Sequence, residues 1–178
     1  MALLSIRIFG DPVLRSRAAE VVDFDEALRR LADDMLETMR DAAGAGLSGN
    51  QVGVLQRLFT WEAGDEQFGA WVNPEVVETS QETQDGDEGC LSFPGLFFPT
   101  VRPLRVRMRA SDVYGEEQEV VGEELLARII LHEIDHLNGI LFIDHLARHD
   151  RKEAMRRIRA GELEHPPSRE HDPDAPAA

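Results

Sequence analysis

The sequence predicts an α+β domain in which antiparallel β-strands wrap around one buried central α-helix. Residues 104–110 alternate strictly between apolar side chains and arginines, which is typical of a half-buried antiparallel strand. Residues 122–139 carry apolar side chains at helical spacing on two faces, which is typical of a helix covered on more than one side. The length of 178 residues is enough for one well-packed domain and short for two.

The N-terminal elements follow from turn, cap and spacing signals. Residues 6–15 are expected to be extended chain with a turn at a glycine and proline. An amphipathic helix should begin after an aspartate cap, Asp23 or Asp25, and run to about Asp41. Residues 44–51 are rich in glycine, and this composition predicts a loop.

The sequence from residue 54 onward carries strand signals first and helix signals later. Short β-type runs separated by turn residues occupy 54–77, and the polar, acidic segment 79–88 predicts a surface loop. The strand at 104–110 should be followed by a turn and a second strand ending near Val121. The central helix and a basic helix at 144–160 follow. We expect one domain over 1–160 and, from four prolines and five acidic residues, a disordered tail over 161–178.

Composition restricts the functional classes. With 19 basic and 34 acidic residues, the net charge of −15 argues against general binding to DNA or other nucleic acid. A single cysteine cannot form an internal disulfide, which fits a reducing compartment. No apolar run is long enough for a signal peptide core or a transmembrane helix. The expectation is a cytoplasmic protein with no membrane association.

The strongest chemical signal is a pair of histidines on the central helix. His132 and His136 are four residues apart, so both imidazoles can face one metal ion, and Glu133 can reach a water molecule beside it. Cys90, the only cysteine, lies in a tight glycine-containing segment and is the best third ligand. Three ligands leave one position open, as a catalytic metal requires. The pattern predicts a metal-dependent hydrolase.

A metallopeptidase is the main alternative for this motif. One class needs a third histidine ten residues after the first, but that position holds Phe142, which excludes it. Other classes use a downstream glutamate, for which Glu153, Glu162 or Glu164 could be nominated.

Three motifs together resemble the bacterial peptide deformylases. They are EGCLS at 88–92 with a proline and glycine just after, HEIDHLNG at 132–139 followed by LFID, and GAGL at 44–47 with Gln51. The segment GDPVLR at 10–15 and the dipeptide Asn73-Pro74 also fit, so the resemblance runs from about residue 6 to 145.

The resemblance implies removal of the formyl group from the N-terminal methionine of nascent chains. It implies Cys90, His132 and His136 as metal ligands and Glu133 as general base and acid. The side-chain amide of Gln51 and the backbone N–H of Leu91 would bind the oxyanion. The family usually holds Fe(II), with Zn(II), Ni(II) or Co(II) able to occupy the site, whereas the ligands alone would suggest zinc.

Chemistry and resemblance each indicate a substrate contact. Strand addition could pair the backbone of Gly44, Ala45 and Gly46 with the main chain of the substrate, while the resemblance places Arg128 and Ile129 near the pocket for the methionine side chain. The family mostly has an apolar branched residue at Ala45 and an apolar residue at Arg128. We therefore expect these two positions to reshape the pocket. Other departures are Ser48 and Gly49 in place of two alanines and Leu131 in place of glutamine.

The basic helix leaves two interpretations open. Residues 144–160 carry six basic and three acidic residues. They could form an ordinary solvated helix face, or, as the resemblance implies, a surface for transient contact with the ribosome near the nascent-chain exit. A non-catalytic ribosome-associated protein of the same fold is the remaining alternative to a deformylase and a metallopeptidase.

Overall fold

The computed structural model describes residues 2–64 and 67–163, and it combines three α-helices with antiparallel strands. The helices are α1 (Glu26–Asp41), α2 (Glu124–Leu137) and α3 (Arg148–Arg159). The strands are β1 (Gly46–Ser48), β2 (Leu58–Glu62), β3 (Phe68–Thr79), β4 (Thr83–Gln84), β5 (Asp87–Gly89), β6 (Phe97–Pro99), β7 (Arg102–Pro103), β8 (Arg105–Ser111) and β9 (Glu117–Glu123). The predicted α+β class is confirmed.

Five strands form one antiparallel sheet in the order β1-β2-β3-β8-β9. The predicted alternation is seen in β8, where Val106, Met108 and Ala110 are buried and the arginines face the other side. Two small antiparallel pairs, β4 with β7 and β5 with β6, lie outside this sheet. In the strand order of the large sheet, β1 forms one edge.

Helix α2 is central, as predicted. Ala127, Ile130 and Leu137 are fully buried against the inner face of the sheet, in a cluster that includes Met108. The opposite side, with Ile129 and the two histidines, is also buried. Leu125 is the exception in the predicted apolar stripes, because it is 49% exposed.

The C-terminal end of α2 is held by Arg57, which is buried. Its guanidinium donates to the backbone oxygen of Leu137 at 3.3 Å and to the side-chain oxygen of Asn138 at 3.0 Å. A cation at this end of a helix also interacts favourably with the helix dipole. This contact fixes the turn that carries His136.

Helix α1 is capped by Asp25, one of the two aspartates predicted for this position. The side chain of Asp25 accepts a hydrogen bond from the backbone N–H of Leu28 at 3.0 Å. Leu28, Met35 and Met39 then pack into the core below β1 and β2. The predicted end at Asp41 is confirmed.

Four local predictions need correction. The predicted loop at 44–51 contains β1 and a short 3-10 helix, and the predicted surface loop at 79–88 contains β4 and most of β5. The extended segment at 6–15 ends in a 3-10 turn, and the basic α-helix covers only Arg148–Arg159. Short strands next to glycine give no periodicity of their own, because their pairing partners are distant in sequence.

The C-terminal boundary also differs from the prediction. Residues 161–163 belong to the described structure, and Leu163 is 6% exposed in a cluster with Phe142 and Ala154. Residues 164–178, the rest of the predicted tail, lie outside the described residues. No helix in the described part of the chain has the length and apolar character needed to cross a membrane.

Candidate active site

Three side chains that could hold a metal ion converge on one point. Cys90 directly follows β5, and His132 and His136 lie one turn apart on α2. Their ligand atoms all lie within 4.8 Å of one another. The His136 Nε2 is 3.2 Å from the Cys90 Sγ and 3.2 Å from the His132 Nε2. All three residues are buried, so two elements distant in sequence form one compact donor set.

This donor set fits a transition-metal ion. Thiolate and imidazole are good ligands for ferrous iron, zinc, nickel and cobalt, and bond lengths of about 2.0–2.3 Å produce donor separations of this order. Burial lowers the pKa of His136, so its imidazole is neutral, the form that binds metal. Burial would also lower the pKa of His132, but Cys90 and Glu88 outweigh it and raise that pKa. The site therefore attracts positive charge.

Glu88 orients one of the histidines. Its Oε1 lies 2.6 Å from the His132 Nδ1, so Nδ1 carries a proton and Nε2 is the atom that can bind metal once its own proton is displaced. The guanidinium of Arg102 donates to both oxygens of the same carboxylate, from Nη2 to Oε1 at 2.7 Å and from Nε to Oε2 at 3.0 Å. Burial would raise the pKa of Glu88, but the hydrogen bonds from His132 and Arg102 outweigh it and hold that pKa well below its usual range.

Glu133 has the environment of a proton-transfer group. It is 2% exposed, and its Oε2 has no hydrogen-bond partner in the described structure. Burial raises its pKa to about 7. A carboxyl group with a pKa near neutrality can both take and return a proton at neutral pH.

Gly46 makes room for this carboxyl group. A Cβ atom at Gly46 would lie 2.8 Å from the Cδ and 2.9 Å from the Cγ of Glu133. We expect Gly46→Ala to displace Glu133 and lower turnover by about 10²-fold or more, the lower end of what general acid–base catalysis contributes. Metal content should be unchanged, since the substitution touches none of the three donors.

The measurement is kcat together with metal content. Gly69→Ala in β3 is the matched control, because its Cβ would meet only ordinary contacts with Trp61, the nearest at 3.5 Å. Wild-type turnover for Gly46→Ala would show that Glu133 does not depend on this close approach.

Gln51 is held beside Cys90 by an unexpected partner. Its Oε1 accepts hydrogen bonds from the backbone N–H and the hydroxyl of Ser48, at 2.8 and 3.0 Å. These bonds orient its Nε2 toward Ser92 Oγ at 3.2 Å and Cys90 Sγ at 3.5 Å. Ser48, one of the departures from the family pattern, therefore supplies a hydroxyl that helps to fix the amide.

A cavity of about 400 Å³ opens beside the donors. It is lined by most of the predicted site residues: Ala45, Gly46, Cys90, Leu91, Arg128, Ile129, His132 and Glu133. Gly44 lies instead on a neighbouring cavity of about 400 Å³, which shares Ala45 and Leu125 with the first. The structure thus places eight of the eleven predicted residues around one opening, and Gln51 and His136 contact Cys90 at its edge without lining it.

Sequence reasoning missed the residues that support the donors. The acidic composition of 79–88 places Glu88 in a surface loop, although it is 3% exposed, and nothing in the sequence singles out Arg102. The only available signal was the position of Glu88 inside the EGCLS motif. Arg102 has no local signal, because its partners Glu88 and Asp135 are 14 and 33 residues away.

Comparison with known proteins decides the family. The model of the polypeptide deformylase family matches residues 3–152. The chain belongs to this family. The deformylase of Acidothermus cellulolyticus is 50% identical over 162 residues, which cover 91% of this chain and 89% of the relative. The recognition made from the sequence and the prediction of an enzyme are confirmed.

Solved deformylase structures share the fold over about nine-tenths of the chain. The crystal structure from Thermus thermophilus has a TM-score of 0.85 and 41% identity, covering 90% of this chain and 95% of that one. The structure from Ehrlichia chaffeensis in complex with actinonin has a TM-score of 0.85 and 37% identity, covering 91% and 99%. Deformylases are metal-dependent, in agreement with the donor cluster.

Proposed function

We propose that this protein hydrolyses the formyl amide of N-formylmethionyl peptides and releases formate. The observation that carries the proposal is the position of Glu133. Glu133 has a buried carboxyl oxygen without a hydrogen-bond partner in the described structure, and it lines the same cavity as Cys90 and His132. A proton-transfer group, a metal-binding donor set and an open cavity are the components that hydrolysis of an unreactive amide requires.

Cys90, His132 and His136 are the proposed metal ligands, and Fe(II) is the proposed metal. The thiolate and two imidazoles suit Zn(II), Ni(II) and Co(II) as well. When bound, the metal supplies a Lewis acid that lowers the pKa of water and polarises the formyl carbonyl.

Glu133 and Gln51 carry the proposed steps of the chain itself. Glu133 takes a proton from the attacking water and returns it to the nitrogen of the leaving amine. The Nε2 of Gln51, aimed at the Cys90 side of the site, and the backbone N–H of Leu91 donate to the oxygen that becomes negative. One such donor is typically worth about 2.7–4 kcal/mol in the transition state.

The edge strand β1 is the proposed backbone contact for the substrate. β1 pairs with β2 on one side only in the described sheet, and the preceding residues Gly44 and Ala45 line the cavities. An extended peptide can add to such an edge through main-chain hydrogen bonds. The first side chain of the substrate would then enter the cavity at Arg128 and Ile129.

Formate release from formyl-Met-Ala-Ser under anaerobic conditions, with protein reloaded with Fe(II), tests this proposal. Acetyl-Met-Ala-Ser is the control substrate. Formate from the formyl peptide alone supports deformylation. Peptide fragments without formate would indicate a metallopeptidase, and no reaction would indicate a non-catalytic protein.

The proposed location is the cytoplasm, where nascent formylated chains are made.

We also propose transient ribosome contact through α3. Among the exposed basic residues of this helix, Arg148, Lys152 and Arg159 have no ion pair within the described residues, whereas Arg151 and Arg156 do. Reversing these three charges to Glu is expected to abolish co-sedimentation with ribosomes at low salt, since phosphate contacts dominate such binding. Formate release from the short peptide should not change.

Charge reversal is preferable to deleting the helix. Ala154 of α3 is fully buried, so a deletion would expose the core. Arg105, Arg107 and Arg109 of β8 provide a control triple reversal on another face. Equal loss of sedimentation for both triple variants, or for neither, would contradict a specific role of α3.

A further inference from the structure

The Glu88 carboxylate is saturated by four donors. Its Oε1 accepts from Arg102 Nη2 at 2.7 Å and from His132 Nδ1 at 2.6 Å. Its Oε2 accepts from Arg102 Nε at 3.0 Å and from Arg128 Nη1 at 2.9 Å. Each oxygen therefore has one bond to Arg102 and one bond to α2. A buried carboxylate held in this way has a single orientation.

Arg128 and His132 act on this carboxylate from the same helix. They are four residues apart on α2, so their side chains leave one face of the helix one turn apart. Each of them contacts a different oxygen of Glu88. Rotation of the carboxylate would break one of these two contacts. The angle of the His132 imidazole is thus tied to the position of Arg128.

Arg128 is itself anchored. The same Nη1 atom donates to the backbone oxygen of Thr100 at 2.9 Å, just before β7, which carries Arg102. The side chain is 11% exposed, although the residue lines the cavity. The guanidinium therefore joins α2, Glu88 and the segment before β7. A wall of the substrate pocket alone would not require these contacts.

We propose that Arg128 is a positioning residue for the metal site, because it fixes the carboxylate that orients His132. This proposal rests on the proposed role of His132 as a ligand. It changes the expectation for Arg128, whose guanidinium supports the donors in addition to shaping the pocket. Partners of metal-binding histidines typically change metal affinity or activity by about 10–100-fold when removed.

The test is the rate of metal release to a chelator from the holoenzyme, without substrate, for wild type and Arg128→Met. We expect release about 10–100-fold faster in the variant. Arg128→Lys keeps the charge and one donor, so it should give an intermediate rate. After reloading, the loss of activity should be in kcat. Arg109→Met removes an exposed arginine of β8 and should leave release unchanged.

Four outcomes of these measurements have distinct consequences. Wild-type metal release in Arg128→Met, with only KM altered, would overturn it and leave Arg128 as a pocket residue. Equal acceleration in Arg109→Met would also overturn it. If Arg128→Met fails to give a folded far-UV spectrum, Arg128→Lys decides by the same release measurement. Absence of formate from wild type would refute the proposed function instead, since metal release does not depend on turnover.

Discussion

Glu133→Gln is expected to lower kcat for formyl-Met-Ala-Ser by about 10²–10⁴-fold, the usual contribution of general acid–base catalysis. Glutamine has nearly the size of glutamate and fits the space beside Gly46, but it cannot accept the proton of the attacking water. Glu133 is not one of the three clustered donors, so metal content should be unchanged. The measurement is formate release by protein with one metal ion per chain.

The control for this prediction is an exposed glutamate. Glu117→Gln in β9 removes a charge from the surface and should keep full activity. Full activity of Glu133→Gln with normal metal content would mean that another group transfers the proton. Loss of the metal together with activity would show that Glu133 contributes to the donor set.

Among the substitutions proposed for this protein, Glu88→Ala is expected to cause the largest loss in the free energy of unfolding. Among the described residues, the substitution leaves Arg102, which is 5% exposed at its side chain, with one carboxylate partner and leaves Arg128 with none. Removing one partner of a buried ion pair typically costs about 3–5 kcal/mol, because the remaining charge stays buried. For a domain of this size each kcal/mol lowers Tm by roughly 2–4 °C. The metal should also be released faster.

Thermal unfolding of metal-loaded and metal-free protein measures both effects. Glu117→Ala, which removes an exposed carboxylate, should unfold like wild type. The loss of stability in Glu88→Ala should persist in the metal-free protein, because it arises from the uncompensated arginines. A variant as stable as wild type without metal would show that Glu88 contributes only through His132.

The predictions that were confirmed depend on short-range patterns. The spacing of His132 and His136 follows from the helical repeat, and the burial of alternate residues in β8 follows from the pleat of a strand. The cap at Asp25 is equally local. Such features depend on residues within about one or two helical turns, so they can be derived without knowing how the chain packs.

The predictions that failed depend on distant partners. Residues 44–51 resemble a loop because three residues of β1 have no pattern of their own, yet β1 pairs with β2 through Ser48 and Phe59. The segment 79–88 resembles a surface loop because its composition is acidic. Glu88 is buried there because Arg102, on a separate strand, neutralises it.

The sequence by itself determined the family and the α+β class, and it predicted the three side chains that the structure clusters, because these depend on motifs and on helical and strand periodicity. Only the tertiary structure decided how the donors are supported. It brought Arg128 and Arg102 onto Glu88, and Gly46 onto Glu133, across separations of 14 to 87 residues. Contacts of this kind are set by the packing of α2 against its strands, and no local pattern encodes them.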